Sequence, residues 1–118
     1  MKVTIYHNPR CSKSRQALAL LEERGIEPEI IEYLKDPPSA TRLREILRML
    51  GMKPRELMRK GEEVYRKRRL DNEKLTDSEL IDAMVRDPIL IERPIVVAGR
   101  RAVVGRPPEK VLEIIGDA

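Results

Sequence analysis

Apolar residues first cluster as strands. Residues 3–6 read VTIY, a run of strand formers, and residues 29–33 read EIIEY, a second such run. Between them Ala17, Leu18, Leu20 and Leu21 recur at helical spacing and stop at Gly25. That spacing predicts a helix of about 12 residues with a glycine stop. His7-Asn8-Pro9 is expected to break the first strand. The unit reads as β-α-β, a parallel pair with a right-handed crossover.

The middle of the chain switches to helical period. Ser39 is placed to cap a helix with Leu43, Ile46, Leu47 and Leu50 on one face and Gly51 as its stop. Pro54 opens a short helix through PRELMRK to Gly61. Residues 62–72 are charged and carry no clear period. Thr76-Asp77-Ser78-Glu79 is a capping box with Leu75 and Leu80 as its staple. Leu80, Ile81, Met84 and Val85 are expected to face inward, and Asp87-Pro88 ends the helix. Strand-like runs from Pro94 to Val97 and Arg101 to Val104 flank Ala98-Gly99-Arg100, which predicts a hairpin. Pro107 and Pro108 open a last helix, with Val111, Leu112, Ile114 and Ile115 inward and Gly116 at its end. The expected fold class is α/β: β-α-β, a helical insertion at about residues 39–87, then β-β-α. Each part is small for a core of its own, so residues 1–118 are expected to form one domain.

Composition narrows the function. With 41% hydrophobic and 37% charged residues, the 118-residue chain reads as a soluble globule. No apolar run approaches the ~20 residues of a membrane span. The start, MKVTIYHNP, lacks the apolar core of a signal peptide, which points to the cytoplasm. The net charge of +4 favours anionic partners in general. Aromatic residues are 3% of the chain, too few for a base-stacking platform, and charges alternate in sign along the helices, so no nucleic acid partner is expected. One cysteine and one histidine make a zinc site in the monomer unexpected.

Those two residues, His7 and Cys11, lie close together at the strand-to-helix junction YHNPRCSKS. An ordinary thiol, with a pKa of ~8.5, is only about 3% ionised at pH 7, and a pKa near ~6.5 makes it about three-quarters thiolate. A helix N-terminus favours that anion through its unpaired N–H groups and dipole. Arg10, Lys13, Arg15 and a protonated His7 would add positive charge, and Ser12 and Ser14 offer hydroxyl donors. The blander readings stand beside this one: a lone cysteine is commonly an apolar core residue, His7 reads equally as a loop histidine, and Ser14 as an ordinary first-turn serine.

Three arginines occupy unusual local settings at element ends. Arg59 closes the short helix, Arg93 precedes Pro94, and Arg106 precedes Pro107-Pro108. A guanidinium fork suits a tetrahedral oxyanion. Spacing alone does not show whether the three converge.

YHNPRCSKS, ELMRKGE, LTDSELIDAMVRDPILIERPIVV and VVGRPPEKVLEI resemble the glutaredoxin-coupled bacterial arsenate reductases, from Ile5 to about Asp117. The resemblance implies a thioredoxin-like fold with a helical insertion, and a cis Arg93–Pro94 bond. It implies Cys11 as nucleophile, His7 and Ser14 as the residues that ionise or hold the thiolate, and Arg59, Arg93 and Arg106 as oxyanion binders. The implied reaction is reduction of arsenate to arsenite, with glutathione as co-substrate, glutaredoxin as partner and no bound cofactor. With a single cysteine, the resolving thiol must come from outside the chain. Two other activities fit the same family likeness. One is a glutathione-dependent thiol-disulfide reductase. The other is a regulator that binds RNA polymerase through a CxxC switch, which Cys11-Ser12-Lys13-Ser14 lacks for want of a second thiol.

Overall fold

The computed structural model describes residues 2–116. The chain divides into two compact units, one made of residues up to Asp36 together with those from Arg93 onward, the other of Pro37–Glu92.

The first unit is built on a sheet. Its elements are β1 (Val3–His7), α1 (Ser12–Glu23), β2 (Glu29–Glu32), β3 (Ile95–Ala98) and β4 (Arg101–Val104). Among the described residues the sheet runs β2-β1-β3-β4. β1 is parallel to β2, with Ile5 opposite Ile30, and antiparallel to β3, with Ile5 opposite Val96. β3 and β4 form the expected hairpin, with Gly99 at φ 61° supplying the left-handed turn residue. This is the thioredoxin-like α/β arrangement that the resemblance implies.

Every residue of β1 is buried, so the strand is the spine of the unit. Val3, Ile5, Ala17, Leu21, Val96, Ala98, Val111, Ile114 and Ile115 make one apolar cluster. Burying a leucine such as Leu21 contributes roughly 1.5–3 kcal/mol. α1 therefore packs on the sheet through Ala17 and Leu21, which fixes where its N-terminus lies.

Two expectations change here. His7 does not break β1 but is its last residue, paired with Glu32 of β2. The last helix is not α-helical: Pro108–Glu113 is a 3₁₀ helix. Its buried residues, Pro108 and Val111, lie three apart, one 3₁₀ turn.

The second unit contains α2 (Ala40–Leu50), α3 (Pro54–Leu57), α4 (Glu63–Lys67), α5 (Asp77–Arg86) and a 3₁₀ turn at Pro88–Leu90. Ser39 caps α2 by accepting from the Arg42 N–H at 3.1 Å. Gly51 ends it at φ 67°. On α5 the inward face is Leu80, Ile81, Ala83 and Met84; Val85, expected inward, is only half-buried. α3 stops at Leu57, short of the expected PRELMRK helix. The reason is non-local: Met58 pairs with Ile91, the Arg59 N–H donates to Leu90 O at 2.7 Å, and the Glu92 N–H to Leu57 O at 2.9 Å. Arg59 thus lies on an extended segment rather than at a helix end. Arg55 clamps the segment after α3, donating to the Tyr65 hydroxyl at 2.8 Å, to Leu70 O at 2.5 Å and to Asn72 O at 2.9 Å.

Candidate active site

The loop from β1 to α1 places Cys11 at the N-cap of α1, in extended conformation (φ −95°, ψ 122°). Local bonds shape the loop. The Cys11 N–H donates to Asn8 O at 3.0 Å, the Arg10 N–H to Asn8 Oδ1 at 3.0 Å, and Arg15 Nη1 to Pro9 O at 3.0 Å. Cys11 closes no conventional side-chain cap bond, and the first turn of α1 has no acidic residue. The positive end of the helix is left for another anion.

The sulfur itself fits that role. Cys11 is 8% exposed. Burial pushes its thiol pKa up, but the backbone N–H groups of Ser14 and Lys13 and the Arg93 guanidinium outweigh it, so the pKa lies below the ordinary thiol value. Arg106 Nη1 lies 4.0 Å from Cys11 Sγ and donates to Arg93 O at 3.1 Å. The strongest cation at the sulfur is therefore Arg93, far away in sequence, whereas Arg15, a neighbour along the chain, bonds the Pro9 carbonyl.

His7 and Ser14 form a buried pair. Ser14 Oγ lies 2.6 Å from His7 Nδ1 and accepts from the Asn8 N–H at 3.0 Å. Burial lowers the His7 pKa, with Arg15 adding to the fall and Glu32 opposing it. Burial thus favours the neutral ring, and one short hydrogen bond joins its Nδ1 to the Ser14 hydroxyl, with the donor set by the ring tautomer. Burial penalises the charged ring, so the expected positive charge on His7 is disfavoured. Ser14 acts on the sulfur through its backbone N–H, since its hydroxyl is held by His7 and Asn8.

Gly105 sets the backbone next to Arg106 and against the Pro94 that follows Arg93. Both Arg93–Pro94 and Arg106–Pro107 are cis. The Gly105 N–H donates to Pro94 O at 2.8 Å. A Cβ on Gly105 would come within 2.9 Å of Pro94 Cγ and 3.3 Å of Val111 Cγ1, so only glycine fits between them. That close approach turns the chain so that Arg106 reaches back to Arg93 O and Cys11.

Arg59 belongs to the helical unit. Its Nη1 lies 2.9 Å from Glu62 Oε2 and its Nε 4.0 Å from Glu92 Oε1. Sequence reasoning missed these two carboxylates, although the i, i+3 spacing of Arg59 and Glu62 was a usable signal. It also missed Asn8, whose Asx-type bonds organise the loop. Among the described residues no group of three or more His, Cys, Asp or Glu could hold a metal ion, and no helix is long and apolar enough to cross a membrane.

Comparison with known proteins places the chain in a family. The profile of the ArsC family matches residues 6–114. The chain is 55% identical over 116 residues to the uncharacterized protein YfgD of Escherichia coli strain K12, across 98% of each chain. It is 50% identical over 116 residues to an arsenate reductase of Haemophilus influenzae, across 98% of this chain and 100% of that one. Among solved structures, the arsenate reductase from Vibrio cholerae superposes with a TM-score of 0.94 at 51% identity, covering 97% of this chain and 98% of that one.

Proposed function

This chain belongs to the ArsC family, and from that premise we propose that it reduces arsenate to arsenite through a covalent adduct on Cys11, resolved by glutathione and glutaredoxin in the cytoplasm. The observation that carries the reading is the Cys11 sulfur: buried, held below the ordinary thiol pKa, and facing the guanidinium groups of Arg93 and Arg106.

In this reading the Cys11 thiolate attacks the arsenic of arsenate and forms an S–As bond while one As–O bond breaks. The departing oxygen takes up protons and leaves as water. Negative charge shifts onto the remaining arsenate oxygens, where Arg93 and Arg106 stabilise it. Arg59 is the third oxyanion binder by family likeness. The neutral His7–Ser14 pair acts as a positioning device: it fixes the first turn of α1, so that the Ser14 and Lys13 N–H groups act on the sulfur. The two electrons that take arsenic from As(V) to As(III) come from external thiols, since this chain has no second cysteine. Glutathione displaces a second arsenic oxygen as water. The glutaredoxin thiolate then attacks the glutathione sulfur, forming a mixed disulfide while the S–As electron pair passes to arsenic. Water cleaves the remaining bond between Cys11 and As(III) to release arsenite and the Cys11 thiol.

Guanidinium groups beside the sulfur favour an anionic tetrahedral substrate over a neutral disulfide sulfur, which is why arsenate is preferred here to a thiol-disulfide substrate. The test is arsenite formation by purified protein with arsenate, glutathione and glutaredoxin. Wild type should turn over and Cys11→Ser should fall to the background rate. Equal rates in the two proteins, or no arsenite from wild type, would remove the proposal.

A further inference from the structure

The helical unit carries an open groove of about 690 Å³ that the reaction above does not use. Small-ligand sites run from about 300 to 1,000 Å³. Tyr65 is the buried member of its lining, and Arg55 donates to the Tyr65 hydroxyl. The rim is polar and mixed in charge, with Lys60, Arg66 and Arg69 against Glu62 and Asp71. Glu62 is occupied by Arg59. Among the described residues the side chains of Lys60, Arg66, Arg69 and Asp71 make no ion pair. The groove therefore offers cationic groups and one carboxylate without internal partners.

Arg69 strengthens the case. α4 ends in a Schellman turn, with the Leu70 N–H donating to Tyr65 O at 3.0 Å and the Arg69 N–H to Arg66 O at 3.1 Å. The residue at the left-handed position of such a turn is ordinarily glycine. Here it is Arg69, at φ 53°. A guanidinium is kept on the rim at the one position of the turn where the backbone favours having no side chain at all. A local rule broken in this way points to a use for the side chain.

We propose that this groove binds the external thiol co-substrate, a small flexible peptide carrying two carboxylates and one ammonium group, the class to which glutathione belongs. The inference rests on the reading that the chain uses such a thiol. Arg66, Arg69 and Lys60 take the two carboxylates, and Asp71 takes the ammonium. Glu62 sits on the rim and also holds Arg59 at 2.9 Å.

The test uses S-methylglutathione, whose blocked sulfur cannot react, so binding is read without turnover. Wild-type protein should bind it saturably by isothermal titration, with amide shifts centred on residues 60–72. Arg69→Gly removes the guanidinium while suiting the left-handed backbone, so the variant should fold. It should raise the dissociation constant at least about threefold, the order expected for one partly exposed ion pair. Arg69→Lys should recover part of the affinity, and the KM for glutathione should follow the same order. Absence of saturable binding by wild type at millimolar probe, shifts centred elsewhere, or an unchanged constant in Arg69→Gly would overturn the proposal. Binding that Arg69→Gly weakens, in a protein that forms no arsenite, would uphold the groove and count against arsenate alone.

Discussion

The N-termini of α1 and α5 face the same physical problem, a turn of backbone N–H groups without helical partners, and settle it in opposite ways. At α5, Thr76 Oγ1 accepts from the Glu79 N–H at 3.1 Å and Glu79 Oε1 accepts from the Thr76 N–H at 2.9 Å. Asp77 and Glu79 add negative charge in the first turn. The cap is closed and self-sufficient. At α1 the cap residue is Cys11, no side-chain cap bond forms and the first turn carries no acid. The residue equivalent to Glu79 is Ser14, and its hydroxyl bonds to His7 and Asn8 instead of reaching back to the cap. A good N-cap is worth about 1 kcal/mol, so the open end of α1 gives up stability of that order. What it gains is a field that holds an anion. The contrast teaches that the end of this protein proposed to be reactive is recognisable by a bond it leaves unmade.

The comparison can be broken by substitution. The largest effect belongs to Cys11→Ser. Serine is a preferred N-cap and a poor nucleophile, so the variant should lose turnover to background while its urea unfolding free energy equals or exceeds that of wild type at pH 7. A marked loss of stability in the variant would show that Cys11 is a core residue after all. Ser14→Ala comes next. It leaves His7 Nδ1 and the Asn8 N–H without their shared partner in a buried setting, and should cost about 1–3 kcal/mol in chemical denaturation. Turnover should fall as well, because the first turn that faces the sulfur loosens. Thr76→Ala is the matching change at the closed cap. It should cost about 1 kcal/mol and leave kcat/KM for arsenate unchanged. A fall in activity from Thr76→Ala comparable to that from Ser14→Ala would erase the distinction between the two ends.

The same contrast explains what was legible in the chain. Thr76 and Glu79 are three residues apart, and their bonds are with one another, so the box is written in local sequence. The same holds for Ser39 before α2 and for the glycines that end α1 and α2, whose positions need only the neighbouring turn. The errors fall where distant backbone decides. PRELMRK has helical composition, yet Met58 and Arg59 pair with Leu90 and Ile91 and the helix stops at Leu57. At the site, Cys11 was legible because it stands alone at a strand-to-helix junction. The cation that acts on it most strongly was not, since Arg93 enters through the turn at Pro94 and Gly105 rather than through spacing. The last helix misled as well, because a pair of prolines followed by apolar residues reads first as an ordinary helix start.

The smallest expected effect is a pH dependence, and its sign follows from the open cap. The thiol of Cys11 has a folded pKa below its ordinary value. Between that folded value and the ordinary one, the unfolded chain binds more protons than the native chain, so stability rises with pH. The thiolate's contribution is complete above the ordinary thiol pKa and is lost as pH falls through the folded one. Cys11→Ser has no such group. The difference in unfolding free energy, wild type minus variant, should therefore climb with pH across this window and then level off. His7, whose lowered pKa brings its own loss of stability on acidification, is present in both proteins and drops out of the difference. Denaturant titrations of the two proteins from neutral to alkaline pH measure this directly. A gap that stays flat would mean that the N–H groups of α1 and the Arg93 guanidinium do not outweigh burial at the sulfur, and the open end of α1 would then be no more hospitable to an anion than the closed end of α5.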